Sequence, residues 1–268
     1  MLQDQFRPSP GGLAELLVCK ACLQPPRRSP FLADQITSPT SCPFLFPPST
    51  ERMAPWWLCL LLFAGLWKTS LQEDLEGYSF VFSHKGYVTL EMEQPQDLLQ
   101  NITVCLCSFS DSPAKQALFS YATRDQDKEI LIYKVHGLDG FWWYTVYIGG
   151  VPQRFRVPDS YQDWQQICIK WSSETGVLTF EFNRRKLARK VVRQGYFIRP
   201  HALVQLGRAH HEDIFFQGEI QQVYMWNSTV NDFSRYNPSM IGWNNLSYET
   251  QGNVVLDSFY WPPSTCPM

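Results

Sequence analysis

The sequence predicts an all-β domain made of two antiparallel sheets packed face to face. From Tyr78 onward, short segments rich in aromatic and β-branched residues follow one another, and turn residues separate them at short intervals. Aromatic residues make up 15% of the chain, a high share that suits pleated surfaces. One short segment, near residues 230–236, favours a helix. Successive strands without intervening helices are typical of a sandwich or barrel and argue against βαβ units.

The first 52 residues are predicted to be a disordered or irregular N-terminal extension. They include RPSPGG, QPPRRSP and FPPST, and proline at this density interrupts the hydrogen bonding of both helices and sheets. Cys19 and Cys22 form a lone CxxC pair. Without a second pair at metal-site spacing, two incidental cysteines explain this pair better than zinc does.

An apolar run from Ala54 to Trp67 predicts a signal peptide over residues 53–70. The run is too short to span a bilayer comfortably, but it matches the apolar region of a secretory signal. A buried core segment is the alternative, although no flanking structure is predicted that could bury it. Translation of the functional product is then expected to begin at Met53, and residues 71–268 are expected to form one secreted, extracellular domain.

The strands are predicted from alternation and from aromatic content. In QQICIKWSS, for example, Ile167, Ile169 and Trp171 share one apolar face, whereas Cys168 lies on the other face beside polar residues. The turn segments GLDG (137–140) and SSETG (172–176) link neighbouring strands. In chain order, the predicted strands are YVTLEME, NITVCLCSF, ALFSYAT, KEILIYKV, FWWYTVYIGG, QRFRVP, QQICIKWSS, GVLTFEFN, ALVQLG, GEIQQVYMW and NVVLDSFYW.

Cysteines and glycosylation sequons agree with secretion. Four cysteines follow the apolar run, namely Cys105, Cys107, Cys168 and Cys266. An oxidising compartment favours disulfide formation among them, and the sequence alone permits three ways to pair all four. If the strands of Cys105 and Cys168 are neighbours, a disulfide between them would close a loop of roughly 60 residues, worth about 4 kcal/mol. Sequons predict glycans at Asn101, Asn227 and Asn245.

The segment QICIKWSS resembles the pentraxin signature, His-x-Cys-x-Ser/Thr-Trp-x-Ser/Thr. It has Cys168, Trp171 and Ser173 at the matching positions, with Gln166 replacing the histidine and Lys170 replacing Ser/Thr. Other segments resemble short pentraxins of the serum amyloid P and C-reactive protein type, so the resemblance covers roughly residues 78–261. These segments are LLQNITVCLCSFSD, LFSYATRDQDKEILIYK, RQGYF, GEIQQVYMW and YETQGNVV.

This resemblance implies a flattened β jelly roll that assembles into a cyclic homo-pentamer. It also selects one of the possible disulfides, because the family's bridge falls on Cys105 and Cys168. Cys107 and Cys266 are then left over. They pair with each other, pair between subunits, or stay free, and the sequence does not choose among these alternatives.

The resemblance further implies a two-calcium site that holds phosphocholine, phosphoethanolamine or other anionic ligands. Calcium takes six to eight oxygen ligands, mostly from carboxylates and amides. Asp127 in RDQDKEIL matches one ligand of the family. The next position, an asparagine ligand in the family, is Lys128, which supplies no oxygen and adds a positive charge.

A second part of the family's calcium site, an acidic loop, is several residues shorter here and has fewer carboxylates. In LGRAHHEDIFFQGEI, the register of the acidic ligands is filled by Arg208, Ala209, His210 and His211. Glu212 and Asp213 replace part of the set only if the loop refolds. We therefore expect calcium binding to be reduced or lost, with at most a weak site at Asp127, Glu212 and Asp213. Zinc or copper at the two histidines is disfavoured, because adjacent side chains on extended backbone point apart.

Two further positions match the family's ligand pocket, namely Tyr133 and Tyr147. Pro152 stands where phosphocholine-binding members have a glutamate that faces choline. The segment between YMW and GWNN, which the family uses to meet immune partners, is shorter here, and a glycan at Asn227 would oppose docking of a large partner.

The function predicted from these residues is secreted, non-catalytic, lectin-like recognition of innate-immune type, with reduced or lost calcium dependence. Alternatives are a structural oligomer or diverged copy without a ligand, and a calcium-dependent binder of phosphate- or amine-bearing ligands that uses a refolded loop. An enzyme is disfavoured, since Glu181 stands alone in TFEFN and no paired-carboxylate, phosphate-loop or HExxH motif occurs. A net charge of −2 gives no reason to propose nucleic acid or an anionic membrane as partner.

Overall fold

The computed structural model describes residues 72–92, 94–157, 163–231 and 237–258. All of these residues lie in one compact unit, Leu58–Met268. The predicted extension over residues 1–52, the predicted signal peptide over 53–70, and Cys266 lie outside the described residues, as does most of the helix predicted at 230–236. Within the described part of the chain, no helix has the length and apolar composition needed to cross a bilayer.

The described residues are almost entirely β-structure, as predicted. A 3-10 helix at Trp243–Asn245 is the one helical element that they contain, and the sequence did not predict it. The first and last strands begin earlier than predicted. In chain order the strands are β1 Tyr78–Glu91, β2 Asn101–Phe109, β3 Gln116–Thr123, β4 Gln126–His136, β5 Trp142–Ile148, β6 Val151–Val157, β7 Gln165–Ser172, β8 Val177–Phe182, β9 Arg185–Lys186, β10 Lys190–Val191, β11 Leu203–Leu206, β12 Gly218–Trp226 and β13 Ser247–Ser258.

All strand pairs are antiparallel, and the strand order is β10-β8-β7-β2-β12-β1-β11-β3-β4-β5-β6, with β13 paired to β1 and β9 to β8.

Strand β1 belongs to both layers. Its first half (80–82) pairs with β12, and its second half (88–90) pairs with β11. A bulge between Ser83 and Tyr87 separates the halves, where His84 and Lys85 have φ values of 38° and 63°. The strand therefore turns from one layer into the other.

The two layers pack through a large apolar core. Phe155 of β6 stacks on Phe180 of β8 with ring centroids 4.7 Å apart, so the far ends of the ladder face each other. Ile167, Ile169 and Trp171 point into this core, as their alternation predicted. The indole of Trp171 donates a hydrogen bond to the Val192 carbonyl at 2.9 Å. These contacts confirm the predicted two-layer jelly-roll sandwich.

The disulfide between Cys105 and Cys168 is confirmed. The two cysteines are direct partners in the β2–β7 register, which explains why a thiol lies on the less apolar face of β7. Trp226 and Val230 cover the bridge, so this outer face is buried as well. Two residues along β2, the Sγ atom of Cys107 lies 3.6 Å from Oε1 of Gln222.

Candidate functional site

The segment 207–216, between β11 and β12, forms a compact loop against the sheet. The Phe216 amide donates to the Gly207 carbonyl at 2.8 Å, and the Ala209 amide donates to the Ile214 carbonyl at 3.2 Å. A tight turn lies inside this pair, closed by the Glu212 amide and the Ala209 carbonyl at 3.2 Å. Gly207 has φ of 78°, and a Cβ atom there would lie 2.6 Å from the ring of Phe82. The position therefore requires glycine.

Two tyrosines and two lysines lie beside this loop. The rings of Tyr133 on β4 and Tyr147 on β5 meet edge to face, with centroids 5.9 Å apart. A lysine ammonium group lies over each ring. Nζ of Lys115 is 4.0 Å from the ring centroid of Tyr133, and Nζ of Lys128 is 5.2 Å from the ring centroid of Tyr147. Cations above tyrosine faces are attracted by the ring quadrupole. The apolar support below includes Ala209, which brings the loop to the sheet.

Glu212 connects the loop to this cluster. Its Oε2 atom accepts a hydrogen bond from the Tyr133 hydroxyl at 2.5 Å, and its Oε1 atom pairs with Nζ of Lys128. Partial burial favours a higher pKa for Glu212, but the bonds from Lys128 and Tyr133 outweigh it and lower that pKa. The bond to Glu212 raises the pKa of Lys128 in turn. Burial, and then the same carboxylate, raise the pKa of Tyr133. Glu212 is therefore an ionised, fully engaged carboxylate.

The other acidic residues near the loop face different partners. Asp213 accepts an exposed salt bridge from Lys85, with 3.0 Å between Oδ2 and Nζ. Asp127, at the start of β4, has its Oδ1 atom 3.8 Å from Nε2 of His211. The rings of His210 and His211 lie 4.2 Å apart. Burial, and then the neighbouring His211, lower the pKa of His210 and favour its neutral form.

Sequence comparison assigns this chain to a known family. A sequence model of the Pentaxin family matches residues 79–258. The chain belongs to the pentraxin family. Its curated relatives include serum amyloid P-component from Bos taurus, 31% identical over 71% of this chain and 91% of that protein. Mucosal pentraxin from Mus musculus is 32% identical over the same shares. Serum amyloid P-component from Cavia porcellus is 34% identical, again over 71% and 91%.

A solved pentraxin shares the fold. The heptameric serum amyloid P-like pentraxin of Limulus polyphemus matches with a TM-score of 0.64, covering 73% of this chain and 99% of that one at 16% identity. This likeness supports the jelly-roll architecture described above.

The structure brings together the two residues matched to the family's ligand pocket, but it does not bring together the three acidic residues matched to its calcium site. Tyr133 and Tyr147 lie together, as their matching to one pocket requires. Asp127, Glu212 and Asp213 do not share one partner, because each faces a different cation or imidazole. Pro152 lies on the edge strand β6, directly opposite Tyr147.

One expectation from the sequence is wrong: the side chains of His210 and His211 do not point apart. The alternation rule assumes extended backbone, but His211 has φ of 56°, in the left-handed region. That conformation turns the chain and brings the two rings together. With Asp127, the two histidines form a group whose potential ligand atoms all lie within 4.8 Å of one another.

Two contacts of the candidate site were missed by sequence reasoning. Lys115, in the loop before β3, was not singled out, although its spacing two residues before Ala117 puts both on the side of Tyr133. The Lys128–Glu212 pair was missed because the path of the loop, and not the sequence spacing, brings the two residues together.

Of the three sequon asparagines, Asn227 and Asn245 are exposed and Asn101 is half-buried at the start of β2. The Asn227 side chain accepts a hydrogen bond from the Ser239 hydroxyl at 2.9 Å.

Proposed function

We propose that this pentraxin is a secreted, non-catalytic recognition protein whose ligand-binding face works with little or no calcium. The observation that carries the proposal is the bonding of Glu212, whose carboxylate is held by the Lys128 ammonium and the Tyr133 hydroxyl. An ammonium group thus neutralises the carboxylate from within the chain. The family's cofactor would otherwise perform that neutralisation.

The residues of the loop do not fit a two-calcium site. Calcium requires six to eight oxygen ligands, and it does not favour nitrogen donors or a neighbouring ammonium group. Here Lys128 occupies an asparagine ligand position, and Glu212 is already bonded. Asp213 is exposed and is paired with Lys85. This arrangement favours a loop that is ordered without the metal.

The proposed ligand is a small molecule bearing phosphate or another anionic group. Lys115 and Lys128 present ammonium groups above adjacent tyrosine rings, on one face of the β4–β5 pair. Lys115 is exposed, and no carboxylate lies within ion-pair distance of it among the described residues. An anionic group can therefore be met by a lysine instead of calcium.

Calcium titration tests this proposal directly. We expect the wild-type protein to bind calcium weakly, and Lys128→Asn to raise the calcium affinity by about tenfold or more, equal to about 1.4 kcal/mol. The substitution removes the ammonium group, releases Glu212 and adds an amide oxygen at a family ligand position. Isothermal titration of both proteins with calcium chloride measures the change.

A matched control is Lys186→Asn, which replaces an exposed lysine on β9 and should leave calcium affinity unchanged. On a phosphoethanolamine resin, retention of the wild type is expected to be the same in calcium and in EDTA. Two tight calcium sites in the wild type, or release by EDTA, would show that the proposal is wrong.

A structural oligomer without a ligand is the second candidate. The serum amyloid P-like pentraxin of Limulus polyphemus is heptameric, which supports the proposal that this chain forms an oligomer. Catalysis is not part of either proposal. Glu181, the isolated acidic residue considered for it, is paired with Lys170 at 2.9 Å.

Secretion and assembly of the chain can be tested together. We expect expressing cells to release a product that begins near Leu71, carries glycans at the sequon asparagines and forms a closed ring of several subunits. Native mass spectrometry before and after enzymatic deglycosylation gives the start, the glycan mass and the subunit number. A retained product starting at Met1, or a single subunit, would contradict the expectation.

A further inference from the structure

The cluster of Asp127, His210 and His211 is not used by the function proposed above. Asp127 lies at the start of β4, and the two histidines lie in the turn of the 207–216 loop. Each residue offers one potential ligand atom, and these atoms lie within 4.8 Å of one another. Among the described residues, no other such group of three histidine, cysteine or acidic side chains is found.

The fold holds these side chains together from several directions. The turn is closed by the hydrogen bond between Glu212 and Ala209, and the left-handed backbone of His211 brings its ring beside that of His210. The two residues that follow are tied to the sheet by ion pairs, Glu212 to Lys128 and Asp213 to Lys85. The loop is thereby anchored just after the histidines.

The donor set matches zinc better than calcium. Two imidazoles and one carboxylate, with a water completing four-coordination, make a common open zinc site. Imidazole nitrogen suits zinc, copper or nickel, whereas calcium prefers oxygen. In a tetrahedral site with bonds of about 2.0–2.1 Å, the ligand atoms stand about 3.3 Å apart. The observed separations are 3.8 Å between Nε2 of His211 and Oδ1 of Asp127 and at most 4.8 Å between any two of the three ligand atoms, so metal binding requires the ligand atoms to close by up to about 1.5 Å.

Small side-chain rotations can supply that closure. The side chains of His211 and Asp127 are 71% and 48% exposed, so both have solvent-facing room to rotate. His210 is half-buried and provides the more fixed member of the group. We propose that Asp127, His210 and His211 form an open zinc site at the tip of this loop. The proposal rests on the geometry and the donor chemistry of these three residues and does not depend on the function proposed above.

Zinc binding by the full secreted protein, prepared without a histidine tag, tests the proposal. In competition with a fluorescent zinc chelator, we expect one zinc ion per chain. His211→Asn and Asp127→Asn should each weaken zinc affinity by about tenfold or more, since each removes one of three ligands. Asparagine tolerates the left-handed backbone at position 211, so the loop should keep its path.

The matched control is His201→Asn, because His201 is also exposed and also has a positive φ, of 59°. It should bind zinc as the wild type does. Cobalt added in place of zinc should give visible absorption typical of four-coordination in the wild type and lose it in His211→Asn.

Three outcomes would overturn the zinc site: no stoichiometric zinc in the wild type, equal affinity in wild type and His211→Asn, or an equal loss in His201→Asn. Circular dichroism confirms that each variant is folded. Because Asp127→Asn changes a different element of the site, an unfolded His211→Asn protein would still leave a decisive comparison.

Discussion

Replacing both Cys105 and Cys168 with alanine is expected to lower the free energy of unfolding by about 4 kcal/mol. The bridge spans 63 residues, and opening it lets the unfolded chain explore many more conformations. For a domain of this size, the melting temperature should fall by about 8–16 °C. Urea denaturation followed by tryptophan fluorescence measures both the free energy and its dependence on denaturant.

The denaturant dependence separates this effect from simple loss of packing. An unfolded chain without the bridge exposes more surface, so the m-value should rise. The control is Val230→Ala, which opens space in the same cluster but keeps the disulfide. It should lower stability without changing the m-value. A double cysteine variant with an unchanged m-value would show that the bridge does not restrict the unfolded chain.

Lys134→Met is expected to stabilise the protein by about 1–4 kcal/mol at pH 7, the range seen when buried ionic groups are replaced by apolar ones. Lys134 has no exposed surface and lies among the rings of Trp142 and Phe216, 4.9 and 5.4 Å from their centroids. Within the described part of the chain, Nζ of Lys134 donates a hydrogen bond to Oε1 of Gln165, at 3.4 Å. Burial lowers the pKa of Lys134 from 10.5 to about 7.

The pH dependence of this effect follows from the direction of the pKa shift. Between pH 7 and 10.5, the unfolded chain binds a proton at Lys134 that the folded protein does not bind. The stability of the wild type therefore rises with pH across this window, with a slope approaching about 1.4 kcal/mol per pH unit. Lys134→Met lacks this slope, so its advantage should shrink at alkaline pH.

Denaturation of wild type and variant at several pH values from 7 to 9.5 measures this difference. Lys186→Met, at an exposed lysine, should show the slope of the wild type. A constant difference between Lys134→Met and wild type at every pH would mean that Lys134 stays protonated in the fold.

The predicted strands were accessible from sequence because they depend on regular alternation. The family resemblance, and not alternation, selected the pairing of Cys105 with Cys168, and the two residues are direct partners across β2 and β7. The burial of Lys134 could also have been predicted from the sequence. It is in phase with Ile130 and Ile132, both fully buried, so alternation alone predicts that its side chain enters the core.

The contacts of the 207–216 loop could not be predicted in this way. Alternation rules fail where a residue adopts a left-handed backbone, as His211 does, and no residue pattern signalled that conformation. Pairing of Glu212 with Lys128 depends on where the loop lies against β4. Family resemblance pointed to the positions of the candidate site, but it could not predict the contacts made by the residues that replace the family's ligands, such as the pairing of Lys128 with Glu212.

The position of β1 has a consequence for biosynthesis. This strand pairs along its length with β13, from Tyr78 opposite Ser258 to Glu91 opposite Ser247. Its longest set of partners is therefore made last, and a chain emerging from the ribosome cannot complete either layer before residues 247–258 have appeared. Such distant pairing slows folding. The nascent domain must consequently remain incomplete until nearly all of it has been synthesised.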